Sequence, residues 1–443
     1  MSRGRARAAA LAVVTLIVAI APAAASAGWS RPFDLVAPGT LDYLPTQLAI
    51  GGSGSAAGYT VEDVDTPGSG QAYFVLRSAT GTVGPPHAIA GARALLALAY
   101  SARGLEVLTG SSPSTADCCS SVQAMAVGGG GQVRNTQTLV SGLAGATLGS
   151  LVPLAHGGTL AAVATERGLW TQQSGANGRF SGRRRLTASG LAPSSLATAS
   201  LGGDSSLVAW SAASGPAGFA DPRTIFYAEG SRRSSPRQSH TLLRIPAGHR
   251  IDELGVAPRA GAAGGSAGTG GGTGATAAWI ESYYDKQADY HVVVRATDFA
   301  PHPAVRDFAP AGGFPAGLSF AADAAGAQGL AWKACDAGGT CTVRVTTRGP
   351  TSSFGTPISL GAIDASQTPA LTVGSRGQVL VGWVRGGQPV AAVGPAGGRF
   401  GAVRVLSPSA FALDETVAYG PHGALAAWTQ GTLNPSVVAA AYR

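Results

Sequence analysis

The feature that most constrains this chain is a short motif that recurs eight times. An apolar or bulky residue is followed six positions later by an aliphatic or aromatic one, just ahead of a loop rich in Gly, Pro, Ser and Ala. The eight pairs are Trp29/Leu35, Val83/Ile89, Val133/Leu139, Phe180/Leu186, Ser239/Ile245, His302/Phe308, Phe354/Leu360 and Phe400/Leu406. Such recurrence is typical of repeat architectures, in which neighbouring units bury one another.

Each repeat holds four short strand-like runs, which we label A to D in chain order. The A runs, such as Leu95 to Tyr100, are alternating or apolar, and the D runs carry the six-residue motif. Five of the B runs end in tryptophan, at Trp210, Trp279, Trp332, Trp383 and Trp428. Helical periodicity is absent after the first 27 residues, so the pattern predicts an all-β assembly of four-stranded units.

The recurrent tryptophan has two interpretations. A large side chain at one point of every unit is most simply a packing layer between neighbouring units. The alternative is an exposed ring of indoles that stacks on sugars. Tyr59, Thr109 and Val163 occupy the same position in the first three repeats.

The two ends of the chain indicate how the repeats are arranged. The segment from Trp29 to Val36 matches a D run with no A, B or C run before it, and the chain stops at Arg443 after a C run. A ring in which the first strand completes the last unit explains both observations. We therefore predict a single β-propeller of eight four-stranded blades, with seven remaining possible if the unit around Thr109 is irregular.

These runs resemble those of secreted bacterial β-propeller proteins, part of a superfamily that includes the sialidases. The shared unit reads roughly P-x-[LV]-A-[VL], then G-x-[LV]-[VAG]-x-W, V-x-[AV]-A-x-R and F-G-x-x-x-x-L-S, and it is best preserved from Pro369 to Ser407. The resemblance implies the fold and a ligand site around the channel mouth, on the face that bears the DA and BC loops. It implies no one activity, because propellers serve both as enzymes and as binding platforms.

The first 27 residues have the features of a secretory signal peptide. Arg3, Arg5 and Arg7 precede an apolar run that ends in an Ala25-Ser26-Ala27 cleavage pattern. We expect residues 1–27 to be removed and residues 28–443 to form an exported propeller without a transmembrane segment. Loss of the three arginines leaves 28 basic and 23 acidic residues, a net charge of +5.

Four cysteines in an exported chain favour disulfides. Cys335 and Cys341 flank a short hairpin, Asp336 to Thr340, which brings their Cα atoms within bridging reach. Cys118 and Cys119 are adjacent, so a strained vicinal bond, free thiols and a bond to another chain all stay open.

The richest candidate for a ligand site follows Trp279. We predict a BC loop there that combines aromatic and charged residues, and a preceding DA loop that reaches the same blade. The candidate residues are Glu281, Tyr283, Tyr284, Asp285 and Lys286, with His249, Arg250 and Asp252 from the DA loop. The alternative is a solvated hairpin without a ligand.

The other motifs are weaker candidates for a metal-binding or catalytic site. Asp42, Asp252, Asp364 and Asp414 each precede an A run, where a repeated carboxylate is expected to accept loop N–H groups. Glu62, Asp63 and Asp65 resemble half of a calcium loop, but Pro67 takes the next ligand position. Gly264-Gly-Ser266-Ala-Gly268 lies in a glycine tract without a nucleophile elbow. We expect no metal and no cofactor.

The basic runs Arg183 to Arg185 and Arg232-Arg233 with Arg237 lack interleaved aromatics, so we expect no nucleic-acid partner. The sequence favours a secreted, non-catalytic, monomeric propeller that binds a glycan, a peptide or a cell-envelope partner. The alternative is a glycan-cleaving enzyme of sialidase or lyase type, with Tyr283 or Tyr284 beside Glu281. The sialidase Asp-box is approached only by Asp336 to Thr340, where Ala334 and Cys341 depart from it.

Overall fold

In a computed structural model, the chain forms eight sheets arranged as blades around a ring. The structure describes residues 28–37, 42–43, 47–62, 70–111, 120–142, 147–155, 157–175, 177–187, 191, 193–202, 205–213, 222–231, 236, 238–259, 274–308, 313–408, 411–431 and 435–442. Residues 1–27, Cys118 and Cys119, Asp63 and Asp65, Arg232, Arg233 and Arg237, and the glycine tract around Ser266 lie outside these ranges.

The strands follow one another in a repeated up-and-down order. The chain begins with β1 (Phe33–Val36), which belongs to blade 8. Blade 1 comprises β2 (Asp42–Tyr43), β3 (Gln47–Gly51), β4 (Gly54–Glu62), β5 (Gln71–Ser78) and β6 (Val83–Ala88). Blade 2 comprises β7 (Ala94–Ser101), β8 (Gly104–Ser111), β9 (Ser121–Val127) and β10 (Val133–Ser141). Blade 3 comprises β11 (Leu148–Pro153), β12 (Thr159–Thr165), β13 (Gly168–Ser174) and β14 (Phe180–Arg185). Blade 4 comprises β15 (Pro193–Gly202), β16 (Ser205–Ala212), β17 (Thr224–Gly230) and β18 (His240–Arg244).

The second half of the ring repeats the pattern. Blade 5 comprises β19 (His249–Pro258), β20 (Ala275–Tyr284), β21 (Tyr290–Asp298) and β22 (Arg306–Phe308). Blade 6 comprises β23 (Phe314–Ala322), β24 (Gln328–Cys335), β25 (Cys341–Arg348) and β26 (Ile358–Ile363). Blade 7 comprises β27 (Ala370–Val373), β28 (Gln378–Arg385), β29 (Gln388–Pro395) and β30 (Arg404–Val405). Blade 8 comprises β31 (Ala412–Gly420), β32 (Gly423–Gln430) and β33 (Ser436–Tyr442), completed by β1.

The predicted ring closure is confirmed. β1 pairs antiparallel with β33, with Phe33 opposite Ala439, so the first strand is the outer strand of the last blade. Trp29 adds a bridge to Tyr442, and their rings lie 5.3 Å apart. The count of eight blades is also confirmed, because the unit around Thr109 forms a regular four-stranded sheet.

The five tryptophans form the packing layer between blades. All are at most 1% exposed, which excludes the alternative of indoles that stack on sugars. Each lies in an apolar cluster with side chains of the preceding blade: Trp279 packs with Leu207 and Ile225 of blade 4, and Trp383 with Val343 and Val345 of blade 6. Burial of these large rings holds neighbouring blades together.

The disulfide between Cys335 and Cys341 is present and closes the BC hairpin of blade 6. Asp364 has the structural role predicted for it, because its carboxylate accepts the N–H groups of Gly386 and Gly387 at 2.6 and 2.9 Å. No helix in the described part of the chain is long and apolar enough to span a membrane.

The predicted placement of the candidate residues in loops is wrong for most of them. His249, Arg250 and Asp252 belong to the A strand β19, which begins at His249 and has a register shift around Asp252. Glu281, Tyr283 and Tyr284 belong to the B strand β20, where Tyr283 pairs with both His249 and His291. Cross-strand pairing therefore extends both strands, and the BC connection is reduced to residues 285–289.

Candidate functional site

The candidate site lies at the end of blade 5 on the face bearing the DA and BC connections. Its centre is Glu281, whose side chain is fully buried. The Oε1 atom accepts from His249 Nδ1 and from Arg295 Nη1, both at 2.6 Å, and Oε2 accepts from Trp279 Nε1 at 3.0 Å. Three donors offset the cost of burying a carboxylate.

The network around Glu281 crosses every strand of the blade. His249 comes from the A strand, Glu281 from the B strand and Arg295 from the C strand, and Arg295 Nε donates to Asp307 of the D strand at 2.9 Å. Burial alone would lower the pKa of Arg295, but the two carboxylates outweigh it and the pKa is raised. The arginine is therefore a fixed cation that joins the inner and outer halves of the blade.

Three rings stack above this network along one cross-strand row. The Tyr283 ring lies between two imidazoles, with centroids 4.1 Å from His249 and 5.1 Å from His291. His291 Nε2 is 2.8 Å from Asp285 Oδ2. This hydrogen bond lowers the pKa of Asp285. Burial acts in the opposite direction, and the hydrogen bonds from the N–H groups of Asp289 and Gln287 lower the pKa further. Asp285 thus fixes both the short turn and the His291 ring.

An aromatic patch lies beside the stack. Tyr284, Tyr290 and Phe314 are 67%, 46% and 47% exposed, which is unusual for rings of this size. Their centroids are separated by 5.1 Å and 6.2 Å in series. We call these three residues the aromatic platform. Phe314 lies opposite Cys335, so the blade 6 disulfide borders the platform.

The predicted site residues therefore fall into three groups. Glu281 and Tyr283 are supporting residues beneath the surface, while Tyr284, Asp285 and Lys286 lie at its edge. Arg250 and Asp252 form an ion pair at 2.9 Å, with side chains 58% and 29% exposed. The structure joins these residues in one blade, but the hydrogen-bond partners of Glu281 among the described residues include no tyrosine.

Sequence reasoning missed four contributors to the site, namely His291, Arg295, Asp307 and Phe314. A signal for two of them existed, because His291 and Arg295 are the polar ends of the otherwise apolar C run His291–Arg295. Within the described ranges, no group of three His, Cys, Asp or Glu residues is arranged to hold a metal ion.

The ring, the antiparallel blades and the closure by the first strand define the protein as an eight-bladed β-propeller. No protein-family model matches the chain. No curated protein matches it either. The chain can therefore be compared with known proteins only through its fold.

The chain is similar in fold to several solved structures, with little sequence identity to any of those given below. A protein of unknown function from Dyadobacter fermentans is 9% identical with a TM-score of 0.42, covering 95% of this chain and 100% of that chain. A polysaccharide lyase, described as an ulvan lyase, is 10% identical with a TM-score of 0.43, covering 92% and 95%. A Hadza microbial sialidase is 11% identical with a TM-score of 0.36, covering 73% of each chain. At these values the similarities say nothing about activity.

Proposed function

We propose that this propeller is an exported, non-catalytic protein that binds a glycan on the aromatic platform of blade 5. The observation that carries the proposal is the exposure of Tyr284, Tyr290 and Phe314 in one series of adjoining rings. Exposed aromatic faces offer apolar area to the C–H faces of sugar rings, and the tyrosine hydroxyls offer hydrogen bonds.

The charges around the platform favour a neutral glycan. Lys286 and Arg250 are the exposed cations, and Asp289 and Asp252 bring the opposite charge. Arg295 is already paired with Glu281 and Asp307, so it is not available to a ligand carboxylate. A surface of three rings is also small beside the roughly 800 Å² per partner that a stable protein interface buries.

The supporting network favours recognition by a rigid surface. Tyr284 is the last residue of the B strand and Tyr290 the first residue of the C strand, and the two pair with each other across the turn. The hydrogen bonds of Asp285 to the turn N–H groups, at 2.9 and 3.0 Å, hold that turn in one conformation. A binding site fixed in advance loses less conformational entropy when a ligand arrives.

Export is part of this proposal. The Cys335–Cys341 disulfide supports it, because such bonds persist in oxidising compartments. The basic, apolar and small-residue sections of residues 1–27 support it from the sequence.

The test is glycan-array binding by the chain 28–443 and by the double variant Tyr284→Ala/Tyr290→Ala. Covering roughly 80 Å² of one ring is worth about 2 kcal/mol, or about thirtyfold in affinity. The variant should lose retention of the glycan while its melting temperature stays unchanged. Phe411→Ala is the matched control, since Phe411 is 58% exposed on the same face in blade 8. Equal retention by the platform variant would refute the proposal.

One observation favours a second candidate, a lyase that cleaves uronic-acid polysaccharides by β-elimination. Glu281 holds His249 through Nδ1, which leaves Nε2 of the neutral imidazole as a base. That base would take the proton beside the sugar carboxylate. The electron pair would form a carbon–carbon double bond, and the glycosidic oxygen would leave and take the proton back from His249 Nε2, which restores the neutral imidazole. Ultraviolet absorbance of the conjugated product, abolished by His249→Ala, tests this candidate.

The same geometry disfavours a sialidase. Its tyrosine nucleophile needs a neighbouring carboxylate that can act as a base. Glu281 is fully buried and both of its oxygens already accept hydrogen bonds, from His249, Arg295 and Trp279, so it is not available to Tyr283 or Tyr284.

A further inference from the structure

A groove of about 1000 Å³ opens at the outer rim of the ring, between the outer strands of blades 2 and 3. One wall is residues 135–137 of β10, and the other is the CD turn of blade 3 with residues 179–181. The Gln137 side chain joins the walls, because its Nε2 donates to the Phe180 carbonyl at 2.6 Å and its Oε1 accepts from the Phe180 N–H at 2.9 Å. We call this space the rim groove.

The blade 2 wall is shaped by a bulge in β10. The pairing of β10 with β9 shifts between Arg134 and Gln137, and Asn135 within the shift has a φ of +51°. Such a φ is uncommon outside glycine, and asparagine is among the residues that tolerate it best. Asn135 and Thr136 are exposed and line the groove. The bulge therefore presents an amide and a hydroxyl to the groove.

Arginines supply the charge of the blade 3 wall. Arg179 is exposed and lines the groove. Arg183 is also exposed, and its guanidinium carbon lies over the Trp170 ring, 5.6 Å from the centroid. Because Trp170 packs against the apolar cluster that blades 2 and 3 share, Arg183 lies on the side of β14 that faces blade 2. Both arginines therefore belong to the seam in which the groove opens.

A third arginine reaches the groove from the AB turn of blade 2. Arg103 is exposed, and its Nη1 lies 3.7 Å from the position that a Cβ would take at Gly178 in the CD turn of blade 3. The amide nitrogen of Asn135 lies 3.9 Å from the same point. Gly178 has a φ of +74°, which other residues rarely adopt. Hydrogen-bond donors from both blades thus converge on a turn that carries no side chain.

Few carboxylates offset these charges. Residues 93–187, which contain blades 2 and 3, hold eight arginines and three acidic residues, and this excess of five equals the whole net charge of residues 28–443. No Asp or Glu occurs among the described residues that line the groove. Glu106 is 4% exposed, and burial raises its pKa. Glu166 belongs to the BC turn of blade 3 on the other face, and Asp117 lies outside the described residues.

We propose that the rim groove binds an anionic polysaccharide, with Arg179, Arg183 and Arg103 donating to its carboxylate or sulfate groups. A guanidinium matches such oxygens in a planar, two-bond geometry. Asn135 and Ser181, which line the groove, bind the sugar hydroxyls. Arg179 and Arg183 are at most about 13 Å apart along an extended chain, so the groove takes an oligomer rather than a single sugar.

Nucleic acid is a poorer match for this groove. Phe180 is the one aromatic ring among the described residues that line it, and at 7% exposed it cannot stack on successive bases. The site is independent of the aromatic platform, since it uses blades 2 and 3 and carries charge of one sign. Either site can therefore fail without the other.

The experiment is calorimetric titration of the chain 28–443 at low salt with five probes. These are a heparin-derived hexasaccharide, a galacturonic acid hexamer, neutral maltohexaose, a single-stranded DNA dodecamer and a glutamic acid dodecapeptide. We expect saturable binding of at least one anionic saccharide, no binding of maltohexaose in this groove, and weaker binding as salt is raised. Arg179→Gln/Arg183→Gln should weaken that binding about tenfold or more, because charge-assisted hydrogen bonds are lost.

The matched control is Arg399→Gln/Arg404→Gln in blade 7. Arg399 directly precedes the motif phenylalanine of its blade, as Arg179 does in blade 3, and both control arginines are exposed. The control removes the same net charge from a part of the rim outside the groove. Its affinity should therefore equal that of the parent chain, whereas attraction to net charge alone would weaken both double variants equally.

Three further variants separate the parts of the proposal. Asn135→Gly keeps the backbone conformation while removing the amide, and it should weaken binding with an unchanged melting temperature. Ser181→Glu, at an exposed position in the groove, should weaken binding by adding a competing carboxylate. Tyr284→Ala/Tyr290→Ala should leave it unchanged. Absence of binding by both anionic saccharides, equal weakening by the control, or tighter binding of the DNA or the peptide would each overturn the proposal.

Discussion

Trp279 and Trp383 occupy the same position in the B strands of blades 5 and 7, and neither side chain is exposed. They differ in what the indole N–H binds. Trp279 Nε1 donates to the Glu281 carboxylate at 3.0 Å, and Trp383 Nε1 donates to the carbonyl of Ala362 at 2.8 Å. Replacing either tryptophan by Phe removes the indole N–H and the same side-chain volume. The destabilisation caused by the cavity should therefore be similar for the two substitutions. A hydrogen bond to a charged group contributes about 1.5–3 kcal/mol and a neutral one about 0.5–1.5 kcal/mol.

We therefore expect Trp279→Phe to lower the free energy of unfolding by about 1 kcal/mol more than Trp383→Phe. The assay is urea unfolding followed by far-ultraviolet circular dichroism, because both substitutions alter the tryptophan fluorescence. In a Glu281→Gln background the acceptor carries no charge, and the difference between the two substitutions should disappear. Equal costs in the parent background would refute the argument that the buried carboxylate depends on Trp279.

Two other predictions concern stability. Cys335→Ala/Cys341→Ala opens a very short loop and should cost about 2 kcal/mol by the loop-entropy relation, measured as a lower urea midpoint; an unchanged midpoint would show that the blade 6 hairpin holds without the bond. Glu415, which accepts the Val390 N–H at 3.2 Å, has a pKa well above its usual range because it is buried. The native state then keeps its proton while the unfolded chain loses it, so stability falls as pH rises above about 4.3. Glu415→Gln should flatten that fall in a series of melting temperatures, and parallel curves would contradict the assignment.

The sequence was sufficient for the architecture because the repeat motif marks buried positions. The second residues of seven pairs, such as Leu35, Ile89 and Leu406, are at most 6% exposed, as a residue facing the next blade must be. Leu360 is the exception, being only partly buried; in blade 6 the apolar contact is made by Phe354 and Ile363. The ring closure was also predictable, since the lone D run near the start of the chain is the strand that the last blade lacks.

The site could be located but not assembled from the sequence. The predicted strand ends were wrong because cross-strand pairing extends β19 and β20 through the residues that we expected to form loops. Register decides which residues of different strands face one another, and a shift around Asp252 is not visible in composition. Glu281 and Tyr283, spaced by two along one strand, were assigned to a ligand. What the sequence could not show is that the side chains of these two residues contact His249, Arg295 and His291 within the blade.

These contacts explain why blade 5 can hold an exposed aromatic surface. Tyr284, Tyr290 and Phe314 would collapse onto one another or onto the core if their strand ends were free to move. The chain of His249, Glu281, Arg295 and Asp307 ties all four strands a few residues below those ends, and the stacked row above it fixes Tyr283. Groups held by a buried hydrogen-bonded network keep their geometry without a ligand. Of the residues that first suggested a binding loop, Glu281, His249 and Tyr283 therefore lie one layer below the surface, where they support the strands that carry the exposed rings.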